Sequence, residues 1–174
     1  METTTVVGGA RRSRTSEILL LGQAAGLGLV TGMRSMLGVR ILAASARRGA
    51  FDGQRGSFWR ALRSPVAQRA LSVLAGGELL FDKLPSTPSR LAPGPLGARL
   101  VIGAVLGAAV GTQSPDKNMR VAGAVIGATA AAIGALAGNR ARAWLDRGTR
   151  IPGPVAAAAE DAIAFGLGAL AARR

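Results

Sequence analysis

Four of the nine acidic residues, Glu78, Asp82, Glu160 and Asp161, lie inside or at the end of apolar segments, and Arg34 lies inside another. An ionisable group at membrane depth costs a few kcal/mol, so it faces a bundle interior or water and finds a partner. Glu78 and Asp82 are four apart and share one helix face, where like charges repel unless a cation stands between them or one is protonated. Arg34, in GLVTGMRSMLG, is the expected cation from another segment. In AAAAEDAIAFG, Glu160 and Asp161 are turned by about 100° from each other on a helix, so at least one points inward. With Lys83 beside Asp82, these residues form a candidate intramembrane cluster of Arg34, Glu78, Asp82, Lys83, Glu160 and Asp161.

Three chemistries compete for such a cluster. Structural ion pairs would fix the register of the helices. A polar site would bind or relay a cation, a proton or a small solute. A carboxylate site for a hard divalent cation has oxygen ligands available, but nothing fixes their spacing, so no metal is expected. The absence of Cys and His removes thiol nucleophiles, imidazole bases, disulfides and the usual zinc sites. Paired carboxylates alone could do acid–base work, yet no nucleophile motif or cofactor fingerprint accompanies them. Neither enzymatic activity nor a cofactor is expected.

The elements that must position these charges are apolar and small. The 174 residues are one domain's worth, and the 49% hydrophobic content is carried by Ala, Val and Leu, with four Phe, two Trp and no Tyr. The net charge of +13 could suggest nucleic acid, but no aromatic platform or reader motif accompanies it. The Arg residues fall mostly between apolar segments, as an anionic membrane surface favours. The expected partner is therefore a lipid bilayer, with no nucleic acid.

Residues 1–17 are polar, Gly-bearing and basic and read as a disordered tail. A signal peptide fits less well, because Arg34 and Arg40 interrupt the apolar run before the small-residue site near Ala44 to Ala46. Five apolar segments follow, roughly 18–46, 65–81, 95–111, 120–139 and 154–172. The last four match a single membrane crossing at the short end of the range. The first is longer and is broken at TGMR, so it is one tilted helix or two shorter helices meeting near Gly32 to Arg34.

The segments RLVIGAVLGAAVG and RVAGAVIGATAAAIGALAG lack a polar face at helical period, unlike a soluble surface helix. Glycine, present 25 times, costs roughly 1 kcal/mol relative to Ala in an exposed helix. In a bilayer, small residues four apart instead let backbones pack. That spacing recurs at Gly22 and Gly26, Gly28 and Gly32, Gly103, Gly107 and Gly111, Gly123 and Gly127, and Gly134 and Gly138. GAVLGA and GAVIGA, joined through TQSPDKN, suggest a close antiparallel helix hairpin. If all five segments cross once, the basic residues divide almost evenly between the two sides. If the first segment enters and leaves by one face, the tail and the 47–63 loop share the side with most of the Arg.

After Lys83, Pro85 stops the helix, and PSTPSR is extended or turned because residues before Pro avoid the helical region. Pro85, Thr87, Pro88 and Arg90 form a candidate motif turn, and Arg90 and Arg99 are expected to anchor the next helix at the headgroups. Together, GLVTGMRSMLG, AGGELLFDKLPSTPSRLAPGPLGAR, GAVIGATAAAIGALAG and AAEDAIAFGLG, in that order, resemble the bacterial membrane-protein family known as domain of unknown function 4126, over residues 18–172. The resemblance implies a small integral membrane protein of the bacterial inner membrane and makes the charged cluster and the turn its motif positions, without a substrate.

The expectation is an all-α, polytopic membrane bundle of four to five short Gly/Ala-rich helices in a domain spanning 18–174. It would handle a small solute, ion or proton, with a homo-oligomer as an expected form, since so few helices enclose little volume. The alternative is a structural or assembly component whose buried ion pairs only fix helix packing.

Overall fold

A computed structural model describes the backbone of residues 3–81, 91–148 and 153–171. Among the described residues there are seven α-helices and no strand: α1 (Thr3–Met33), α2 (Ser35–Arg47), α3 (Ser57–Arg63), α4 (Pro65–Phe81), α5 (Pro93–Gly111), α6 (Asn118–Gly148) and α7 (Gly153–Ala171). The all-α class holds, but four to five short helices is too few. The first apolar segment is two helices, the 47–63 loop contains α3, and α1 and α6 each run for 31 residues. The backbone is helical from Thr3, so residues 3–17, read above as a disordered tail, continue α1 without a break. Three stretches are long and apolar enough to cross a membrane: Arg14–Met33, Pro93–Gly111 and Asn118–Ala141.

The centre of the bundle is α1, α5 and α6, brought close by glycine. A Cβ at Gly103, Gly107 or Gly111 of α5 would run into the backbone of α6 at Gly127, Gly123 or Met119 respectively. The two series run in opposite directions, which defines the antiparallel hairpin expected from the sequence. On α1, Gly28 meets Gly127 and Ala130, and Gly32 meets Ala131 and Ala135, so α1 and α6 are parallel. Gly127 therefore sits where three backbones converge, a packing that larger side chains would prevent.

The remaining helices wrap this centre. α2 turns back along α1, with Gly38 against Thr31 and Leu27 and Leu42, Ala43 and Ala46 in one core cluster with Ala24 and Leu27. α4 runs antiparallel to α2: Gln68 Nε2 donates to the Ala43 carbonyl at 2.8 Å, and Arg40 Nε donates to Ser72 Oγ at 2.8 Å. α7 runs antiparallel to α1, with Gly26 against Ala171 and Gln23 Nε2 donating to the Ala171 carbonyl at 2.9 Å.

A compact cap closes one end of the bundle. α2 stops at Gly49, whose φ of 94° is a left-handed conformation that suits glycine after a helix end. Phe51 stacks on Trp59 with centroids 4.4 Å apart, and Arg63 donates to the carbonyls of Ala46, Gln54 and Phe51. The Ser64 hydroxyl accepts from Ala67 N–H at the start of α4, the side-chain cap that a helix N-terminus requires. Arg47, Arg48, Arg55 and Arg60 are exposed around this cap.

Candidate functional site

The site forms where α1 gives way to α2. The chain leaves α1 through Arg34, whose extended backbone (φ −143°, ψ 102°) makes it the N-cap of α2. Arg34 supplies no side-chain cap of its own, so the first N–H groups of α2 need an outside acceptor. Glu78 of α4 provides it. Its Oε1 accepts from Ser35 N–H at 2.7 Å and its Oε2 from Met36 N–H at 2.8 Å. A carboxylate here also meets the positive end of the helix dipole. Arg99 of α5 brings Nη2 within 3.9 Å of Glu78 Oε1.

The Arg34 side chain turns the other way, to α7. Its Nε and Nη2 both reach Asp161 Oδ1, at 2.8 and 2.5 Å. Arg34 is only 1% exposed and Arg99 5%, so both guanidinium groups are held inside the bundle. Val30, Met33, Leu37 and Ala164 form an apolar layer beside the Arg34–Asp161 pair.

These charges are recessed. Asp161 lies eight residues after the first residue of α7, and Arg99 six after that of α5, or about 9–12 Å at the helical rise. α6, parallel to α1, continues past its contact at Ala135 to the end of its apolar stretch at Ala141, about 9 Å further. The α1–α2 hairpin thus turns inside the bundle, short of the level its neighbours reach.

The cluster expected from the sequence is partly assembled here. Arg34, Glu78 and Asp161 come together, but the pairing differs: Arg34 takes Asp161, while Glu78 takes the α2 amides and Arg99. Opposite-facing helices explain the difference, since α4 approaches the hairpin from the α2 side and α7 from the α1 side. Asp82, Lys83 and the turn residues Pro85, Thr87, Pro88 and Arg90 lie outside the described residues, as does the Glu160 side chain. Arg99 is the residue that sequence reasoning misplaced: it is buried, not at the headgroups. Its signal was its position within GPLGARLVIG, already inside an apolar helix. Among the described residues no three carboxylates gather as a cation site would need.

A family model described as a domain of unknown function (DUF4126) matches residues 21–173. No curated protein and no solved structure matches the chain.

Proposed function

The chain belongs to the DUF4126 family, and we propose that it is a multi-pass protein of the bacterial cytoplasmic membrane that handles a small ion, proton or polar solute at the recessed break between α1 and α2. The observation that carries this reading is the break itself, walled by Arg34, Arg99, Glu78 and Asp161 well inside the ends of α5, α6 and α7. Broken helices at such a depth direct opposite dipole ends and charged side chains at one point, the arrangement on which membrane solute sites are built. Outward-facing Val101, Val105, Val121, Val125 and Ile133 form an apolar exterior suited to lipid.

The hairpin also supports an orientation. α1 begins, and α2 ends, on the side of the α5–α6 turn, where Gln54 Nε2 donates to the Thr112 carbonyl. That side carries the exposed Arg47, Arg48, Arg55 and Arg60 together with Lys117, so it is the cytoplasmic side under the positive-inside rule. Association of several copies would widen the polar path.

A second reading, a structural component whose charges only set helix register, is favoured by one observation. Both Glu78 oxygens and Asp161 Oδ1 are already engaged by protein donors. The experiment that separates the two measures folded yield in detergent and proton and monovalent-ion flux into vesicles for the parent, Glu78→Gln and Asp161→Asn. Parent flux that disappears in a folded variant supports the site. A parent without flux, with variants that lose fold, supports the structural reading.

A further inference from the structure

Positive charge is left over on the outer face of the α2–α4 seam. Arg40, midway along α2, is half-buried. Its Nε donates to Ser72 Oγ at 2.8 Å, and that hydroxyl donates to the Gln68 carbonyl at 2.8 Å. The two bonds hold the guanidinium across the seam, and among the described residues no carboxylate pairs with it. Arg69 is exposed and precedes Ser72 by three residues on α4, so the two side chains are neighbours, with Cβ atoms about 5–6 Å apart. Arg47, exposed at the end of α2, follows Arg40 by two turns and shares its helix face. The seam lies at headgroup depth. Gly38 of α2 stands against Leu106 of α5 and the two helices run the same way, so Arg40 is about 5 Å short of the level of Gly111, where α5 ends. An arginine side chain spans that distance to the interface.

A guanidinium at this depth without a protein anion draws one from its surroundings. The anion that a bilayer supplies there is the lipid phosphodiester, which a guanidinium grips with two parallel N–H groups. Deeper along α4 the surface turns apolar. Gly76, one turn beyond Ser72 on the same stripe, has nothing within 4 Å of where a Cβ would stand, and Val73 beside it is 73% exposed. The missing side chain leaves a shallow path for an acyl chain directly below the two arginines. We propose that this seam binds one anionic phospholipid of the phosphatidylglycerol type, with its phosphate between Arg40 and Arg69, its headgroup toward Arg47 and an acyl chain over Gly76 along Val73. A zwitterionic headgroup would instead bring its ammonium against Arg47. The proposal shares only the membrane assignment with the function proposed above, and the flux results do not bear on it.

The test is lipid counting by native mass spectrometry on the full chain in detergent, titrated after delipidation with phosphatidylglycerol or phosphatidylethanolamine. The parent is expected to hold one phosphatidylglycerol about tenfold more tightly than phosphatidylethanolamine, the worth of one charge-assisted contact. Arg40→Gln and Arg69→Gln each weaken phosphatidylglycerol about tenfold. Arg69 makes no hydrogen bond through its side chain among the described residues, so its replacement leaves the fold as it is. Gly76→Trp blocks the acyl path and weakens both lipids. Arg120→Gln removes the same charge from α6, which does not touch α4 among the described residues, and binds as the parent does. Equal affinity for the two lipids in the parent, undiminished phosphatidylglycerol binding in Arg69→Gln or Gly76→Trp, or an equal loss in Arg120→Gln overturns the proposal, the last by showing that net charge alone attracts the lipid.

Discussion

Glu78→Ala removes the acceptor that α2 borrows from α4. Two backbone donors, Ser35 N–H and Met36 N–H, then lose bonds of 2.7 and 2.8 Å at a place where the lost side chain is only 14% exposed. Each buried donor left unsatisfied costs about 1–3 kcal/mol, so the pair together costs about 3 kcal/mol at the lower half of that range. Arg99 adds little, because its 3.9 Å approach is too long for a hydrogen bond. Glu78→Gln keeps the shape and one acceptor, but its amide NH₂ confronts the second N–H, so about half the loss is expected. Amide hydrogen exchange in detergent reads both numbers, since each 1.4 kcal/mol is about tenfold in the opening equilibrium. Ser35 and Met36 should exchange about a hundredfold faster in the Ala variant and about tenfold faster at one of the two positions in the Gln variant. Unchanged exchange at both amides in Glu78→Ala would refute the capping argument, whatever happened to the melting temperature.

Asp161→Ala should cost about 3–5 kcal/mol, because it strands the buried Arg34, and Arg34→Ala should cost less, because the Asp161 side chain it leaves is 17% exposed. The double variant should cost less than the two singles together, and additive losses in thermal unfolding would mean that the pair is not coupled. Gly107→Ala should weaken the bundle by about 1–3 kcal/mol through its collision with the Gly123 backbone. Gly97→Ala, with open space around it, should stabilise α5 by up to about 1 kcal/mol. The opposite order in a melting series would show that α5 and α6 are not in this register. Arg63→Ala frees three carbonyls and uncovers Trp59, so Trp fluorescence should shift to the red; an unshifted spectrum would mean that the cap holds without Arg63.

The glycine spacing makes the helix packing legible in the sequence. Gly103, Gly107 and Gly111 against the α6 glycines follow from size alone, because only a missing side chain lets two backbones meet. The partners of the charges were not legible, because pairing depends on which side of the α1–α2 hairpin each helix approaches. Glu78 and Asp161 were recognisable as buried acids from their apolar surroundings. That Glu78 serves a backbone and Asp161 serves Arg34 depends on the sharp turn at Arg34, and TGMR marks the break without giving its direction. Arg99 escapes for a related reason: after Pro93 and Pro95 it reads as the membrane edge, whereas α5 starts at Pro93 and carries it inward. The aromatic cap of Phe51, Trp59 and Arg63 has no periodic pattern at all, since a short loop and a helix of two turns build it.

The hairpin that turns inside the bundle is the claim on which the site, the orientation and the solute reading all depend. The absence of native Cys makes single-cysteine labelling in intact cells and in inverted vesicles a direct test. With Ser16, Gly53, Gly94 and Asp116 each replaced by Cys in turn, a membrane-impermeant thiol reagent should reach positions 16, 53 and 116 from one side, the cytoplasmic one, and position 94 only from the other. Labelling of positions 16 and 53 from opposite sides would mean that the first apolar segment crosses the membrane, and would contradict the recessed hairpin.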